Sequence, residues 1–503
     1  MNKLIIVDLE KNYTIQRTGC SYLFVNRGSI TFKDSHKINF NINNNKKIIK
    51  NNKKDLIDYF LKIKEMFEHN YNKVNTSELE IFNLRNDKYN YLDKILVFYT
   101  LKKRRYNDKY KIEIITDNSK CEKFYQSVFG KKIHITNLSE HGQPKNEYSL
   151  LFFRYLKFIL RAFYFLILIK IFKTNKVLNK KSDFFLSLYP YFFKKKNMSL
   201  YSSNQKNFIN FSLTDETHLN LSPIKYLKHV KKLSQLDRVI SIEKFIKFRE
   251  LFSSLKKFYF EYGKVKYLFK KNFFFQGINC TDLILSHIKG SFLNRSKLFI
   301  YEKSLNTFFE KYQPKKFHYF LFEYNFGFFL KNQLKKVKKF IGYQHGIYTK
   351  NLMWLDLINS KKMDYLPDTI ICNQKLSKSV YNKKFKKIIF MKKKNYFDKK
   401  IKINNNYLST ILVYPGQHDI NDCIYYFLNN KKFKDKKILF KLHPNNKIKI
   451  VMPSENFYLI NKVNTNSKFN IYLSPTTTII YDLLDKNLKF NIIKFNYRVN
   501  LWG

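Results

Sequence analysis

Short apolar runs alternate with longer polar or helix-periodic stretches in the N-terminal part of the chain. The runs at 4–8, 95–99, 112–117 and 184–190 are rich in β-branched and aromatic residues, a composition that predicts strands. Strand followed by helix, repeated along a chain, is typical of a parallel α/β sheet. We therefore expect an α/β fold in which the first strand starts close to the first residue.

A second series of the same kind begins near residue 366. It consists of strand-like runs at 368–373, 387–390, 411–415, 438–444, 469–473 and 490–494, with helical stretches from His418 and from Ser474. The pattern predicts two Rossmann-like domains that face a cleft, an N-terminal one over 1–355 and a C-terminal one over 366–503. The Lys/Asn-rich segments at 41–54 and 391–406 are predicted to be surface loops.

Composition excludes a disordered chain but says less about partners. The 503 residues are 44% hydrophobic, enough for full cores, and 95 Lys+Arg against 38 Asp+Glu give a net charge of +57. Such a charge favours an anionic partner, although the single alanine, Ala162, and the abundance of Lys, Asn, Ile, Phe and Tyr indicate that an AT-rich genome is the source of much of it. The five cysteines are widely spaced, and the apolar stretch at the start of the chain is too short for a signal peptide. Both observations predict a cytoplasmic protein.

The most apolar segment, 148–172, is long enough for a membrane span. Arg154, Lys157 and Arg161 argue against a span, because they fall within about 60° of one another on a helix of 3.6 residues per turn. That single cationic stripe predicts a helix lying in a membrane interface. A core helix whose basic stripe faces water is the alternative, and a true span is a third.

Candidate site residues lie where predicted strands end, because ligands of parallel sheets bind beyond the carboxyl ends of the strands. Four such junctions stand out, at 342–346 (Gly-Tyr-Gln-His-Gly), 414–417 (Tyr-Pro-Gly-Gln), 441–444 (Lys-Leu-His-Pro) and 474–478 (Ser-Pro-Thr-Thr-Thr).

The last two junctions suggest phosphate binding. Ser474 is expected to be an N-cap, with Pro475 as the first helical residue, so the free N–H groups of a helix start would meet hydroxyls of Ser474, Thr476 and Thr477. His443, at the end of the preceding strand, would donate to the same phosphate or protonate it.

These motifs resemble the GT-B glycosyltransferases and polyol-phosphate transferases of bacterial surface polysaccharides, among them Kdo transferases, sialyltransferases and CDP-glycerol glycerophosphotransferases. The order of Phe-Glu-Tyr-Asn at 322–325, a helix, and Gly-Tyr-Gln-His-Gly at 342–346 also resembles capsule and O-antigen transferases. The resemblance covers roughly 318–495. It departs from the family at 474–478, where Ser-Pro-Thr-Thr-Thr replaces a Ser/Ser pattern.

The resemblance implies that the C-terminal domain binds a nucleotide-sugar donor and the N-terminal domain binds the acceptor. The donor-binding residues implied are Lys441, His443, Pro444, Ser474, Thr476 and Thr477, with Gly416 and Gln417 at the neighbouring junction. Transfer would be inverting and metal-independent, with no cofactor beyond the donor substrate. No Asp-x-Asp motif is obvious.

An inverting transfer needs a carboxylate base. Glu323 is the first candidate and the acidic pair Asp215 and Glu216 the second, while another residue of the N-terminal domain stays open. His345 either contacts donor or acceptor at the cleft floor or ties the interdomain crossover.

The sequence thus predicts a glycosyltransferase, peripheral on the inner face of the cell membrane, that moves a sugar from a CMP-linked donor to a lipid-linked or growing polysaccharide. Its expected partners are donor, acceptor and an anionic membrane surface. Alternatives are a CDP-polyol phosphotransferase, an epimerase or inactive protein of the same fold, and a basic protein that binds nucleic acid or anionic lipid. Nucleic acid is not expected, since no RRM, KH, zinc-finger or helix-turn-helix signature appears.

Overall fold

The computed structural model describes most of the chain in segments. The described residues are 2–9, 13–15, 20–25, 30–32, 46–70, 79–83, 90–118, 121–138, 147–172, 183–189, 193–194, 198–199, 208–214, 222–235, 239–319, 325–334, 337–344, 349, 352–359, 366–372, 378, 380, 385, 387–390, 402–403, 410–416, 419–428, 430–443, 452, 454–463 and 468–494. Within them the protein is mixed α/β, and its three main sheets are parallel.

The first sheet is built near the N-terminus. The strands of this region are β1 (Asn2–Asp8), β2 (Tyr13–Ile15), β3 (Ser21–Phe24), β4 (Ile30–Phe32), β5 (Tyr110–Thr116) and β6 (His134–Asn137). Four of them form a sheet in the order β3-β1-β5-β6, and β2 pairs with β4. Both faces of β1 are buried, which is why it reads as an unbroken apolar run.

The helices of this region are α1 (Lys46–Asn70), α2 (Asn90–Lys103), α3 (Tyr106–Lys109) and α4 (Glu122–Phe129). Two predictions are wrong here. The run 95–99 lies inside α2, because its residues are buried on every side of the helix and periodicity cannot separate such a helix from a strand. The predicted loop at 41–54 is helical from residue 46 onwards.

The second sheet has seven strands in the order β11-β10-β7-β14-β15-β16-β17. The strands between 183 and 390 are β7 (Asp183–Tyr189), β8 (Phe193–Lys194), β9 (Met198–Ser199), β10 (Phe208–Thr214), β11 (Val239–Ser241), β12 (Phe274–Phe275), β13 (Ile278–Asn279), β14 (Lys316–Tyr319), β15 (Lys339–Tyr343), β16 (Thr369–Cys372) and β17 (Lys387–Phe390). The sequence pattern places β16 and β17 in the second series. Their parallel pairing with β15 and with each other corrects that assignment. The domain limits themselves stay a prediction.

The third sheet is C-terminal. Its strands are β18 (Lys402–Ile403), β19 (Ile411–Tyr414), β20 (Ile438–Lys441), β21 (Phe457–Ile460), β22 (Lys468–Leu473) and β23 (Asn491–Ile492), in the order β18-β22-β19-β20-β21 with β23 also pairing with β22. Separate apolar clusters cover its two faces, whereas residues of the first two sheets share one large cluster.

The remaining helices follow β6 in chain order. They are α5 (Glu147–Ile171), α6 (Pro223–Ser234), α7 (Phe248–Val265), α8 (Thr281–Ser296), α9 (Glu302–Tyr312), α10 (Asn325–Gln333), α11 (Met353–Asn359), α12 (Ile420–Leu428) and α13 (Ile479–Leu484). The sheet-facing side of α12 has the spacing of an amphipathic helix, with Ile420, Cys423, Ile424 and Phe427 all buried.

The apolar segment 148–172 forms α5, as predicted, and one side of it belongs to the core. Tyr155 is fully buried, stacks on Phe258 at 4.5 Å between ring centroids, and donates a hydrogen bond to the Ser296 carbonyl. The opposite side, with Arg154 and Lys157, is exposed. Across the described part of the chain, we find no helix with the length and apolar character needed to span a bilayer.

Candidate functional site

Three strand ends meet at the carboxyl edge of the C-terminal sheet. Strand β19 lies between β20 and β22 and is parallel to both. From β19 the chain proceeds to β20 and β21 on one side and then returns to β22 on the other, so strand order reverses between β19 and β22. In open α/β sheets ligands bind in the crevice at such a reversal. Two junctions singled out from the sequence, 414–417 and 474–478, follow these two strands.

A buried carboxylate, Asp419, organises this edge. It is only 1% exposed, although the burial of an unpaired charge is costly. Three donors compensate it. The Gly416 N–H lies 2.6 Å from Oδ1, the Thr476 hydroxyl lies 2.5 Å from Oδ2, and the Ser474 hydroxyl also donates to Oδ2. Ser474 Oγ accepts the Thr476 N–H at 3.1 Å. The two loops are therefore tied together through one carboxylate.

Gly416 is required by the closeness of these loops. A Cβ atom at this position would overlap Thr476 Oγ1 and lie 3.0 Å from Asp419 Oδ1. Any larger residue would have to displace the Thr476 side chain from its place beside Asp419. Tight backbone approach explains this glycine, in a chain that has only 12.

His443 follows β20 at the same edge. Burial lowers its pKa below the usual range, and the nearby Asp419 carboxylate opposes that shift. The ring is therefore neutral at pH 7, with one nitrogen able to donate and the other able to accept. Strand β20 is parallel to β19, so the third junction, as far as His443, belongs to the same edge.

Lys441 does not join this cluster. Its ammonium group donates to the Asn461 carbonyl, just after β21. Lys441 is the last residue of β20 and His443 lies in the loop beyond it, so the alternation of a strand does not fix the two side chains on a common target.

The helix after β22 starts later than predicted. Helix α13 begins at Ile479 with Thr478 as its N-cap, so Ser474 is not an N-cap and Pro475 is not the first helical residue. The residues between them form turns in which the Thr477 N–H donates to the Ser474 carbonyl at 3.2 Å. Asp419 overrides local capping here, because it engages the Ser474 hydroxyl from 55 positions away.

The Gly-Tyr-Gln-His-Gly motif is only partly described. Gly342 and Tyr343 belong to β15, and Tyr343 pairs with His318 of β14 at 3.0 Å between Oη and Nδ1. Burial raises the pKa of Tyr343 and lowers that of His318 to about 3. Gln344 is fully buried, and its Nε2 lies 3.5 Å from the Tyr481 hydroxyl of α13. The motif therefore borders the helix that follows the Ser474 loop.

Several predicted site residues lie outside the described residues. They are Asp215, Glu216, Glu323, His345, Gln417 and Pro444. Their roles stay predictions. Of the predicted set, the structure brings together Gly416, His443, Ser474, Thr476 and the buried Thr477 at one sheet edge.

Asp419 is the site residue that sequence reasoning missed. A signal was present, since an aspartate directly before an amphipathic helix, three residues after a glycine at a strand end, is a ligand or capping position. Within the described segments, no group of three or more His, Cys, Asp or Glu side chains is placed to hold a metal ion.

The hydrogen-bond directions limit what the edge can bind. Both hydroxyls donate to Asp419, and Ser474 is fully buried, so only the partly buried Thr476 hydroxyl can offer an acceptor lone pair to a ligand. Such an acceptor suits a ligand hydroxyl better than a bare phosphate, which would compete with Asp419 for the same donor. Neutral His443 is able to donate a hydrogen bond to a phosphate. An acceptor at Thr476 and a donor at His443 together would suit a phosphorylated sugar or nucleoside.

No protein-family model matches this chain, and no curated protein is significantly similar to it.

Proposed function

We propose that the chain is a GT-B-type glycosyltransferase that uses a nucleotide-sugar donor, with CMP as the nucleotide. The observation that carries the proposal is the polar cluster of Gly416, Asp419, His443, Ser474 and Thr476 at the strand-order reversal of the C-terminal sheet. The resemblance of Lys441–Pro444 and Ser474–Thr478 to the transferase motifs supports it.

In this proposal different residues of the cluster bind different parts of the nucleotide-sugar donor. Thr476, which is only partly buried, accepts a hydrogen bond from a ribose hydroxyl, and His443 donates to the phosphate that leaves with the nucleotide. Asp419 is a positioning residue beneath them that fixes the hydroxyl orientations. Glu323, which follows β14 in the chain, is the general base that takes the proton of the acceptor hydroxyl.

The acceptor proposed is a lipid-linked or growing surface polysaccharide. Lipid-linked intermediates are held in the membrane, so we infer that the enzyme works on the cytoplasmic membrane face. Sugar transfer from a nucleotide to a hydroxyl at that surface needs no cofactor besides the donor.

The test measures the affinities of CMP and of cytidine by calorimetry. The parent is expected to bind CMP more tightly than cytidine. His443→Ala should remove most of that difference, about tenfold or more for a lost hydrogen bond to a charged group, and leave cytidine binding unchanged. Thr476→Val should weaken both ligands about three- to tenfold, since it removes a contact to the ribose.

Two variants serve as controls. Thr478→Val alters an exposed hydroxyl two positions further on that makes no capping hydrogen bond, and it should leave both affinities unchanged. Glu323→Gln should bind CMP normally, while CMP release from a CMP-sugar in the presence of polysaccharide acceptor slows by about 100-fold or more. A parent that binds neither ligand, or a His443→Ala variant with full preference for CMP, would overturn the assignment.

A further inference from the structure

The exposed side of α5 carries an apolar ridge beside its cations. Phe153, Leu160 and Ile171 are 63%, 61% and 65% exposed, and Ile167 is also exposed. On a helix of 3.6 residues per turn these four fall within about 40° of one another, and the stripe of Arg154, Lys157 and Arg161 runs alongside. The ridge lies opposite the side that packs in the core, so burial within this chain does not explain it.

Helices α6 and α7 extend the same surface on the two sides of α5. The Tyr164 hydroxyl of α5 donates to the Pro223 carbonyl at the start of α6, and Tyr148 of α5 meets Tyr259 of α7 edge to face. Both neighbours expose apolar side chains, Ile224 and Leu227 on α6 and Phe252, Tyr259 and Phe260 on α7.

This concentration is unusual for the molecule. Among the described residues, fifteen large apolar side chains are strongly exposed, and ten of them lie on α5, α6 and α7. We call this surface the α5–α7 face. Single exposed apolar residues need no explanation, but a cluster of this size marks an interaction site.

Where the structure gives the exposure of a charged side chain on the α5–α7 face, the exposed ones are cations. They include Lys157 on α5, Lys228 on α6 and Lys256 on α7. The α7 carboxylates Glu250 and Glu261 are both buried, and Glu261 pairs with Arg295 of α8. Lysine is abundant everywhere in this chain, so the informative feature is that exposed cations lie beside exposed aliphatic groups while both α7 carboxylates are buried.

We propose that the α5–α7 face binds the surface of an anionic lipid bilayer, with α5 lying in the plane of the interface. The aliphatic and aromatic ridge enters the headgroup region, and the cations meet anionic headgroups. Tyr155 and its neighbours hold the other side of α5 in the protein core, so the helix cannot leave it to span the bilayer. Leu160, Ile167 and Ile224 favour lipid over nucleic acid, because aliphatic side chains do not stack on bases.

The inference rests on the proposed function for its choice of a membrane partner, but its test does not involve the donor site. Flotation is measured with the full-length chain and two kinds of vesicle, phosphatidylcholine alone and phosphatidylcholine with phosphatidylglycerol, at low and high salt. A single-stranded oligonucleotide and analytical ultracentrifugation test the two other occupants, nucleic acid and a second copy of the chain.

Two variants of the face are compared with matched controls. Arg154→Glu/Lys157→Glu/Lys228→Glu removes three exposed cations, and Lys431→Glu/Lys432→Glu/Lys434→Glu makes the same change of charge on an exposed turn of the C-terminal sheet. Phe153→Gln/Leu160→Gln replaces two of the four ridge side chains, and Tyr458→Gln/Leu459→Gln replaces two exposed side chains of β21.

The parent and both controls should float with the anionic vesicles, and high salt should weaken the binding. The cation variant should lose at least about 100-fold in partitioning, since each cation near an anionic leaflet contributes about fivefold. The ridge variant should lose binding at both salt concentrations. Equal flotation of parent and face variants, binding of the oligonucleotide in place of vesicles, or a dimer abolished by the ridge variant would each overturn the proposal. Because CMP binding is measured separately, failure here would leave the donor site standing.

Discussion

At the scale of single residues, the candidate site depends on one carboxylate and one glycine that face each other across two loops. Asp419 supplies the acceptor for three donors, and Gly416 leaves the space in which Thr476 reaches it. The two residues depend on each other, because a side chain at position 416 would block the hydrogen bond between Thr476 and Asp419. A hydroxyl held by a buried carboxylate has a fixed orientation, which a binding site needs before its ligand arrives.

Gly416→Ala should therefore destabilise the protein by about 1–3 kcal/mol, the range for overpacking a filled site, and should weaken CMP binding. The matched control is Gly290→Ala. Gly290 is exposed within α8 and its Cβ would meet no atom within 4 Å, so alanine should stabilise the helix by about 0.5–1 kcal/mol. Thermal unfolding midpoints of the two variants should move in opposite directions. Similar shifts for both would show that the loops do not pack as closely as described.

At the scale of elements, α5 has two functions divided between its two sides. One side packs against α7 through aromatic contacts and is hydrogen-bonded to α8, and the other carries the ridge and the cations. Its sequence, an apolar run interrupted by three basic residues, is compatible with a core helix and with an interfacial one. The structure buries one side of α5 in the core, and binding of the exposed side to a membrane is a proposal.

A pair of substitutions two positions apart separates the two sides of α5. Tyr155→Ala removes a fully buried ring together with its hydrogen bond and should cost about 3–5 kcal/mol. Phe153→Ala removes an exposed ring and should change stability by no more than about 0.5 kcal/mol. The measurement is the denaturant midpoint of each variant. A large loss for Phe153→Ala would mean that its side of the helix is covered in the folded protein.

At the scale of the whole molecule, buried histidines make stability depend on pH. His229 and His318 are both buried, and burial lowers their pKa values to about 4 and about 3. An unfolded chain has histidines of pKa about 6.5, so below that pH the unfolded state binds protons that the folded state does not. Stability is therefore complete above pH 6.5 and falls as the pH is lowered towards the folded pKa values.

The expected slope is about 1.4 kcal/mol per pH unit for each histidine, or roughly 2 kcal/mol each between pH 6.5 and pH 5. His229→Phe, which keeps a ring against Phe165, should reduce the slope of stability against pH by about 1.4 kcal/mol per pH unit, the contribution of one histidine. Denaturant unfolding at a series of pH values checks both statements. A stability that rises on acidification, or a slope identical in the variant, would contradict the burial of His229.

The sequence by itself determined where most strands of the C-terminal part begin and end. The runs predicted at 411–415 and 469–473 are largely apolar because both faces of a parallel sheet are covered, and this requirement acts on each residue locally. It also determined which strand ends carry polar groups, so His443, Ser474 and Thr476 could be named as neighbours before their contacts were known. The strand prediction at 95–99 failed because a helix buried on all sides shows no helical periodicity of apolar and polar residues.

Only the tertiary structure decided which strands share a sheet and which side chains are hydrogen-bonded to each other. β16 and β17 resemble the strands that follow them, and nothing in their sequence says that their partner is β15. Asp419 meets Thr476 across 57 positions of chain, so its control over the Ser474 loop could not be read from local capping rules. The same holds for α5. Its sequence shows an apolar helix with a basic stripe, but which side is exposed depends on the helices that pack against the opposite side. Pairing over long distances in the chain depends on the shape of the whole fold, and local patterns do not contain it.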